Sequence, residues 1–295
     1  MDETSAAWSV KDKHCIVTGA TSGIGEATAR GLLKSGASVT MVVRSREKAE
    51  RTSEALRRDT GNPAVDFVLC DFASLASIRA AAAEILERMP RIDVLINNAG
   101  IVNLERELTL DGIEAVYGVN HLGYFLFTNL LLARVRESAP ARIINVASHA
   151  HKFAKVDLDD LEGKESWGSM SAYGRSKGCN ILFTRELARR LEGSGVTANS
   201  LHPGGVSTGL GANNQGLFTR LIHPVAMLFM KSPDKGARTS VYLATSPEVS
   251  NVSGRYFANC REVSSTSQTR DMELAARLWE ISARQCGLET NAQAG

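Results

Sequence analysis

The sequence predicts an α/β protein: one doubly wound domain in which a parallel sheet of seven strands is covered by helices on both faces. Three observations carry that expectation. Short apolar runs alternate with longer amphipathic segments along nearly the whole chain, as a parallel sheet requires, because each crossover supplies a covering helix. The first apolar run leads at once into a glycine-rich turn, Gly19-Ala20-Thr21-Ser22-Gly23-Ile24-Gly25, that opens a helix. Polar residues then recur at the carboxyl ends of the apolar runs, the rim on which such sheets bind ligands.

Residues 13–18 (Lys-His-Cys-Ile-Val-Thr) read as a buried first strand. Glycine at 19, 23 and 25 permits a tight turn and close backbone approach, and the helix after it, ending near Gly36, offers unpaired N–H groups to a phosphate. That arrangement is a dinucleotide cradle; the alternative is a plain strand-to-helix turn. A second strand, 38–43, ends in Arg44-Ser45-Arg46, where a nucleotide-binding unit reaches the adenosine ribose. An acidic residue there would bond the 2′-hydroxyl of NAD, whereas Arg44 suits the 2′-phosphate of NADP. NADP(H) is therefore expected ahead of NAD(H), a solvated arginine being the plainer reading.

The alternation continues with a charged helix over 46–59, a turn at Gly61-Asn62-Pro63, a strand over 65–70 ending at Asp71, a helix over 74–88, and a strand over 92–96 capped by Asn97-Asn98-Ala99-Gly100. Asp71 and Asn98 both stand at carboxyl ends, and Asp71 serves equally as a cap for the helix beginning near Ser74. A long helix over 110–134 carries an apolar stripe with Asn120 inside it, an amide that needs a partner. Strand 142–147 ends in Ser148-His149-Ala150-His151, the two histidines reading as loop residues rather than ligands or bases. An irregular stretch over 152–170 leads to Ser171-Ala172-Tyr173-Gly174-Arg175-Ser176-Lys177, where a phenol and an ammonium four residues apart share one helical face. A fixed cation beside a phenol favours phenolate and lowers its pKa, so the pair suits proton transfer to or from a substrate oxygen. Tyr and Lys at this spacing also occur on ordinary surface helices.

That helix runs to about 192, followed by strand 196–201, the turn His202-Pro203-Gly204-Gly205-Val206-Ser207-Thr208, a helix over 234–244, a strand over 254–258 and a helix over 270–285. The apolar segment over 209–232 reads as a flap over a substrate site, with a buried helix or a dimer contact as competing readings. No linker or repeat interrupts the 295 residues, so a single domain is expected, with a frayed tail over 289–295.

Lys plus Arg number 34 against 32 for Asp plus Glu, and this scattered net charge of +2 gives no reason to expect nucleic acid as partner. Cys15, Cys70, Cys179, Cys260 and Cys286 form no C-x-x-C pair or metal-ligand spacing, so free thiols and no metal are expected. The start, Met1-Asp2-Glu3-Thr4-Ser5, is acidic and polar, and no apolar run approaches the roughly 20 residues that span a bilayer. The expectation is a soluble, cytoplasmic protein without a transmembrane segment.

With the glycine loop, Asn97-Asn98-Ala99-Gly100, Asn120, Ser148, the Tyr173 to Lys177 spacing and the Pro203-Gly204 turn present in order, the chain resembles the short-chain dehydrogenase/reductase family over residues 12 to about 260. Val119-Asn120-His121-Leu122-Gly123 and Ser176-Lys177-Gly178-Cys179-Asn180-Ile181-Leu182-Phe183 are similar to its retinol dehydrogenase and protochlorophyllide reductase branch. The resemblance implies a Rossmann-type fold, with Tyr173 as general acid in reduction or base in oxidation and Ser148 holding the substrate oxygen. Lys177 would bind the nicotinamide ribose and depress the tyrosine pKa, and Asn120 would anchor a water in a proton relay. It further implies that Gly19, Ser22, Gly23, Ile24, Gly25, Arg44, Asp71, Asn98, Gly100, Pro203 and Gly204 line the cofactor together with Tyr173 and Lys177, while Val206 and Thr208 close over its nicotinamide end. The implied activity is NADP(H)-dependent hydride transfer to or from a small apolar or aromatic aldehyde, ketone or alcohol. Reduction of a carbon–carbon double bond and a non-catalytic NADP-binding regulator or scaffold are the alternatives. In many relatives the helices corresponding to 110–134 and 171–192 pair across an axis, which would give a homodimer or homotetramer. Membrane-bound retinol enzymes usually begin with an apolar anchor, and the acidic start here weighs against retinoid substrates.

Overall fold

In a computed structural model, which describes residues 8–204 and 232–288, eight strands form one sheet in the order β3-β2-β1-β4-β5-β6-β7-β8. Seven of them run parallel: β1 (His14–Thr18), β2 (Ser38–Val43), β3 (Val65–Leu69), β4 (Val94–Asn97), β5 (Ala141–Val146), β6 (Val196–His202) and β7 (Tyr256–Ala258). The eighth, β8 (Arg261–Glu262), is a two-residue antiparallel edge on β7 that the sequence reading did not include. Because β2 and β3 extend the sheet to one side of β1 and β4 to β7 to the other, the chain changes direction between β1 and β4. That switch point is where an open parallel sheet leaves a crevice above its carboxyl ends.

The helices are α1 (Gly23–Lys34), α2 (Arg46–Thr60), α3 (Leu75–Arg88), a single turn α4 (Ala115–Tyr117), α5 (Gly123–Glu137), α6 (Ser169–Arg190), α7 (Pro233–Thr245) and α8 (Met272–Gln285). Alternation along each strand decides which layer its side chains join. Cys15, Val17, Met41 and Val43 pack with Leu32, Leu33, Leu56 and Leu243 of α1, α2 and α7. Their neighbours Ile16, Val42 and Val68 point the other way, into Ile78, Phe125, Leu182 and Trp279 of α3, α5, α6 and α8. Strand β5, central and covered on both sides, is buried at all six positions. Each large apolar side chain so enclosed contributes about 1.5–3 kcal/mol.

Side-chain caps fix several helix starts. Ser45 accepts from Lys48 N–H at the start of α2, and Ser74 accepts from Ser77 N–H at the start of α3. Ser74 is thus the cap of α3, and Asp71 is not; its carboxylate accepts from Ala73 N–H at 2.9 Å within the preceding turn. The helix expected over 110–134 begins only at Ala115. Gly112 at φ 75° and the bridge between Leu108 and Glu114 hold the preceding residues in a turn, and the Glu114 carboxylate accepts from Val116 and Tyr117 N–H to start the helix. It is then interrupted by a π-helical turn, Gly118–Leu122, with Asn120 at its centre. The irregular stretch expected over 152–170 is shorter, since a 3₁₀ turn occupies His149–Lys152 and α6 starts at Ser169.

Helix α8 lies across α6 and α5, with the Trp279 ring 4.8 Å from Phe125 and 5.7 Å from Phe183. The Phe125 and Phe183 side chains of these two helices are therefore covered by the chain's own α8. Among the described residues no helix is long and apolar enough to cross a membrane. The 209–232 segment up to residue 231, Val206, Thr208, the acidic start and the tail lie outside the described residues.

Candidate active site

The site is built from strand ends. Gly19, directly after β1, takes φ 67° and Gly23 takes φ 57°, left-handed conformations that glycine adopts without a side-chain clash. Ser22, at the N-cap of α1, is extended, and among the described residues no side chain caps that helix. The first-turn N–H groups and the positive end of the helix dipole consequently face the crevice, a ready site for a phosphate. A Cβ on Gly25 would stand 2.5 Å from Asn98 Nδ2 and closer still to the Gly19 carbonyl oxygen, so the turn is packed down to the backbone. Asn98 at the end of β4 holds it there: Nδ2 donates to Thr18 O at 2.8 Å and to Gly19 O at 3.3 Å, while Thr18 Oγ1 accepts from Asn98 and Ala99 N–H. Ile24 turns its side chain inward against Ala27 and Ala237. Arg44 is exposed just beyond β2, and Asp71 is exposed just beyond β3.

Across the switch point, Gly100 brings three elements together. A Cβ there would meet Asn120 Oδ1 at 3.2 Å and Lys177 Nζ at 3.4 Å. The amide that needed a partner has several: Asn120 Oδ1 accepts from Ile101 N–H at 2.8 Å, and Nδ2 donates to Ile101 O at 2.9 Å and to Ser176 Oγ at 3.1 Å. Ser176 Oγ in turn donates to Tyr173 O at 2.8 Å. Lys177 Nζ lies 5.6 Å from the centre of the Tyr173 ring and 5.4 Å from that of Tyr124, and donates to Val146 O at 3.0 Å.

Ser148 follows β5 and caps the 3₁₀ turn by accepting from Ala150 N–H at 3.1 Å; its side chain lies beside the Tyr173 phenol and acts to lower the phenol's pKa. Gly174 makes this approach feasible, for a Cβ at that position would stand 2.6 Å from Ala150 O. After β6, Pro203 and Gly204 complete the rim, Gly204 at φ 88° with its N–H donating to His202 Nδ1 at 3.1 Å. Asn120, Ser148, Tyr173 and Lys177 thus stand together beside the glycine-rich turn. Val206 and Thr208 lie outside the described residues.

The family model described as short chain dehydrogenase matches residues 13–216. The chain belongs to the short-chain dehydrogenase family. Within it, human retinol dehydrogenase 14 is 47% identical over 291 residues, spanning 94% of this chain and 87% of that one. Human retinol dehydrogenase 13 is 44% identical, spanning 95% and 86%. Among solved structures, an uncharacterized protein from Mycobacterium paratuberculosis superimposes with a TM-score of 0.75 at 33% identity over 97% of both chains. A Beutenbergia cavernae protein described as an NAD(P)-dependent gluconate 5-dehydrogenase, with NADP bound at low occupancy, gives a TM-score of 0.69 at 27% identity over 86% of this chain and 97% of that one. The short-chain dehydrogenases are oxidoreductases, and this chain carries their fold with a single α/β domain.

Electrostatics in this dehydrogenase site differ from the expectation of a phenol depressed by its neighbouring lysine. Burial raises the Tyr173 pKa above its ordinary value, with the Ser148 side chain opposing that rise. The same burial pushes Lys177 down to about 7. Both groups are moved toward their neutral forms, because the site withholds water from either charge. The four-residue spacing fixes their proximity, but depth in the fold decides their protonation.

Two residues read as ordinary have a place in the arrangement. His151, taken for a loop residue, is buried, and its Nδ1 lies 2.7 Å from Ser148 O; since a carbonyl only accepts, Nδ1 carries the proton. Tyr256 of β7 donates its hydroxyl to the same carbonyl at 3.3 Å, so Ser148 is held from behind by two side chains. Asn97, read only as part of the strand cap, donates to Asn145 Oδ1 and Thr128 Oγ1, both at 2.8 Å, and ties the ends of β4 and β5 together. An Asn at the carboxyl end of each of two adjacent strands was the available signal. Among the described residues no group of three or more His, Cys, Asp or Glu could hold a metal, and the five cysteines are free.

Proposed function

We propose that the chain is an NADP(H)-dependent oxidoreductase that interconverts an apolar or aromatic aldehyde or ketone with its alcohol. The observation that carries the proposal is the convergence of Tyr173, Ser148, Lys177 and Asn120 at the carboxyl ends of β4 and β5, next to an uncapped glycine-rich helix start. The residues present fit the cofactor: Gly19 and Gly25 have no room for a Cβ, so the turn between them is packed down to the backbone, the α1 N-terminus supplies donors for the pyrophosphate, and exposed Arg44 supplies a cation for a 2′-phosphate. The NADP in the complexes of the Beutenbergia cavernae protein and of Pseudomonas aeruginosa RhlG supports the choice of NADP. Retinol dehydrogenases among the relatives support an apolar substrate.

When bound, NADPH supplies a hydride to the carbonyl carbon. Tyr173 Oη gives its proton to the carbonyl oxygen, so C=O becomes CH–OH and the phenol becomes phenolate. Ser148 Oγ donates to the same oxygen and stabilises the charge that develops there. Lys177, beside the phenol, offers the cation that the phenolate then needs. Burial raises the Tyr173 pKa above its ordinary value, so the phenol is protonated and able to donate.

The test is NADPH consumption with a panel of aromatic, aliphatic and polyene aldehydes and ketones, repeated with NADH. Tyr173→Phe should bind NADPH as the parent does and lose turnover by about two to four orders of magnitude. Unchanged turnover in that variant would refute the role given to the phenol.

A further inference from the structure

We propose that Asn180 is a positioning residue of the active site, fixing the Asn120 main chain through a hydrogen-bond chain that starts on the C-terminal helix α8. The inference rests on the reading of Asn120, Ser148, Tyr173 and Lys177 as the catalytic group.

The π-helical turn gives the main chain around Asn120 an unusual freedom. In an α-helix each carbonyl is aimed along the axis at the N–H four residues on; here Gly118 O accepts from Gly123 N–H, five residues on, and the wider turn lets carbonyls tilt toward side chains. The Asn120 carbonyl takes such a partner: Asn180 Nδ2, one turn beyond Ser176 and Lys177 on α6, donates to it at 2.9 Å. A carbonyl can only accept, so the Asn180 amide has one permitted orientation, with Oδ1 turned to His121 Nδ1 at 3.4 Å. Oδ1 also only accepts, so Nδ1 carries the imidazole proton. The ring is neutral, since complete burial pushes its pKa down to about 3. Nε2 must then be an acceptor, and the group facing it, Ser282 Oγ on α8 at 2.9 Å, must be the donor.

The polarity of the chain is thereby set from end to end: Ser282 hydroxyl to His121, His121 to Asn180, Asn180 to the Asn120 carbonyl. All four residues are fully buried, so water cannot replace a missing member. The Asn180 main chain is anchored as well. Thr184 Oγ1 donates to Asn180 O at 2.7 Å and accepts from Asn145 Nδ2 at 2.9 Å, which links it to the ends of β5 and β4. Among the described residues Asn180 has no hydrogen bond to the glycine turn. Its loss should shift Asn120, and with it the Ser176 contact to Tyr173, without altering the cradle for the cofactor phosphates.

The experiment compares Asn180→Asp and Asn180→Ala with the parent, and Ser282→Ala with Ser282→Thr, in kcat, in NADPH dissociation constant and in melting temperature. Asn180→Asp keeps the shape but sets an acceptor against the Asn120 carbonyl. Both Asn180 variants should lose about tenfold to a hundredfold in kcat while the NADPH dissociation constant stays within about twofold, as expected when only the reacting groups are displaced. Ser282→Ala should lower kcat a few-fold and Ser282→Thr, which keeps the hydroxyl, should restore it. Lower melting temperatures with unchanged kcat would show packing alone and overturn the proposal. Should the Asn180 variants fail to fold, the Ser282 pair decides. A further readout needs no turnover: ¹⁵N NMR of histidine-labelled protein should find the His121 ring neutral at pH 7 and protonated on Nδ1, and protonation on Nε2 would break the chain. A parent inactive toward every carbonyl, yet with Nδ1 protonated, would sink the catalytic reading and leave this hydrogen-bond chain standing.

Discussion

Gly25→Ala offers a direct test of the phosphate cradle, since one methyl group is added where the backbone leaves no room. The new Cβ would stand 2.5 Å from Asn98 Nδ2. Ordinary carbon contacts with other heavy atoms begin near 3.5 Å, so the start of α1 and the Asn98 amide must separate by about 1 Å. Asn98 cannot retreat alone, because Nδ2 also bonds Thr18 O at 2.8 Å and Gly19 O at 3.3 Å. The displacement therefore falls on the turn itself. A misplacement of about 1 Å at a site of this kind costs up to about a hundredfold, so the NADPH dissociation constant should rise by about tenfold to a hundredfold, or about 1.4–2.8 kcal/mol. Gly31→Ala in the same helix is the control. Its Cβ would meet a Val241 methyl at 2.7 Å on α7, a side chain that can repack, so stability should fall by about 1–3 kcal/mol with cofactor affinity unchanged. Titration of NADPH fluorescence with each variant, alongside thermal melting, separates the two effects. Binding by Gly25→Ala within about threefold of the parent would refute the account of the cradle, and so would an equal loss in both variants.

Three further outcomes follow from the geometry. Lys177 in the folded protein is pushed down to about 7 by burial, whereas in the unfolded chain it titrates near its ordinary value of 10.5, so between these values the unfolded state binds the extra proton and stability rises with pH. Lys177→Met removes that dependence: its melting temperature relative to the parent should be higher at pH 6 than at pH 9, by up to about 3 kcal/mol of stability, and an equal difference at both would contradict the burial argument. Arg44→Glu should raise KM for NADPH by about tenfold or more while leaving NADH unharmed, measured as the ratio of kcat/KM for the two cofactors; an unchanged ratio would remove Arg44 from the cofactor site. Trp279→Ala, which empties the contact of α8 with Phe125 and Phe183, should cost about 3–5 kcal/mol in urea unfolding, and a cost below about 1 kcal/mol would mean α8 is not a fixed part of the core.

Elements set by local chemistry were legible in the sequence. The strand, glycine turn and helix at 13–34 follow from an apolar run and three glycines, and the strand ends that carry Asn98, Ser148 and Pro203 follow from the alternation of elements. The start of α4 has no signature in the sequence, because apolar spacing continues smoothly from 110, while the stop is made by Gly112 and by the Glu114 carboxylate, an unusual cap. The π-helical turn has no local signature at all. It is held partly by Asn180, sixty positions along the chain, and appears only when α6 is packed against α5. His151 is a similar case: its neighbours in sequence give no hint that the turn folds inward beneath Ser148.

The Tyr173 and Lys177 pair shows why spacing and chemistry are separate questions. Their proximity on α6 is a property of helical geometry, and it suggested an ammonium acting on a phenol. In the folded protein the phenol is held protonated and the amine sits near half-protonation at neutral pH, so little charge is available for one to act on the other. Proton donation changes that balance. Once Tyr173 becomes phenolate, the lysine, whose Nζ lies 5.6 Å from the ring centre, would feel an attraction of about 3 kcal/mol at an effective dielectric constant of about 20, enough to raise its pKa by about two units. Lys177 would then take up a proton as Tyr173 gives one away, and the two titrate as one coupled system. On the mechanism proposed above, the lysine would act on the product of the proton transfer more than on the resting phenol, and burial of both groups would tie its charge to the turnover step.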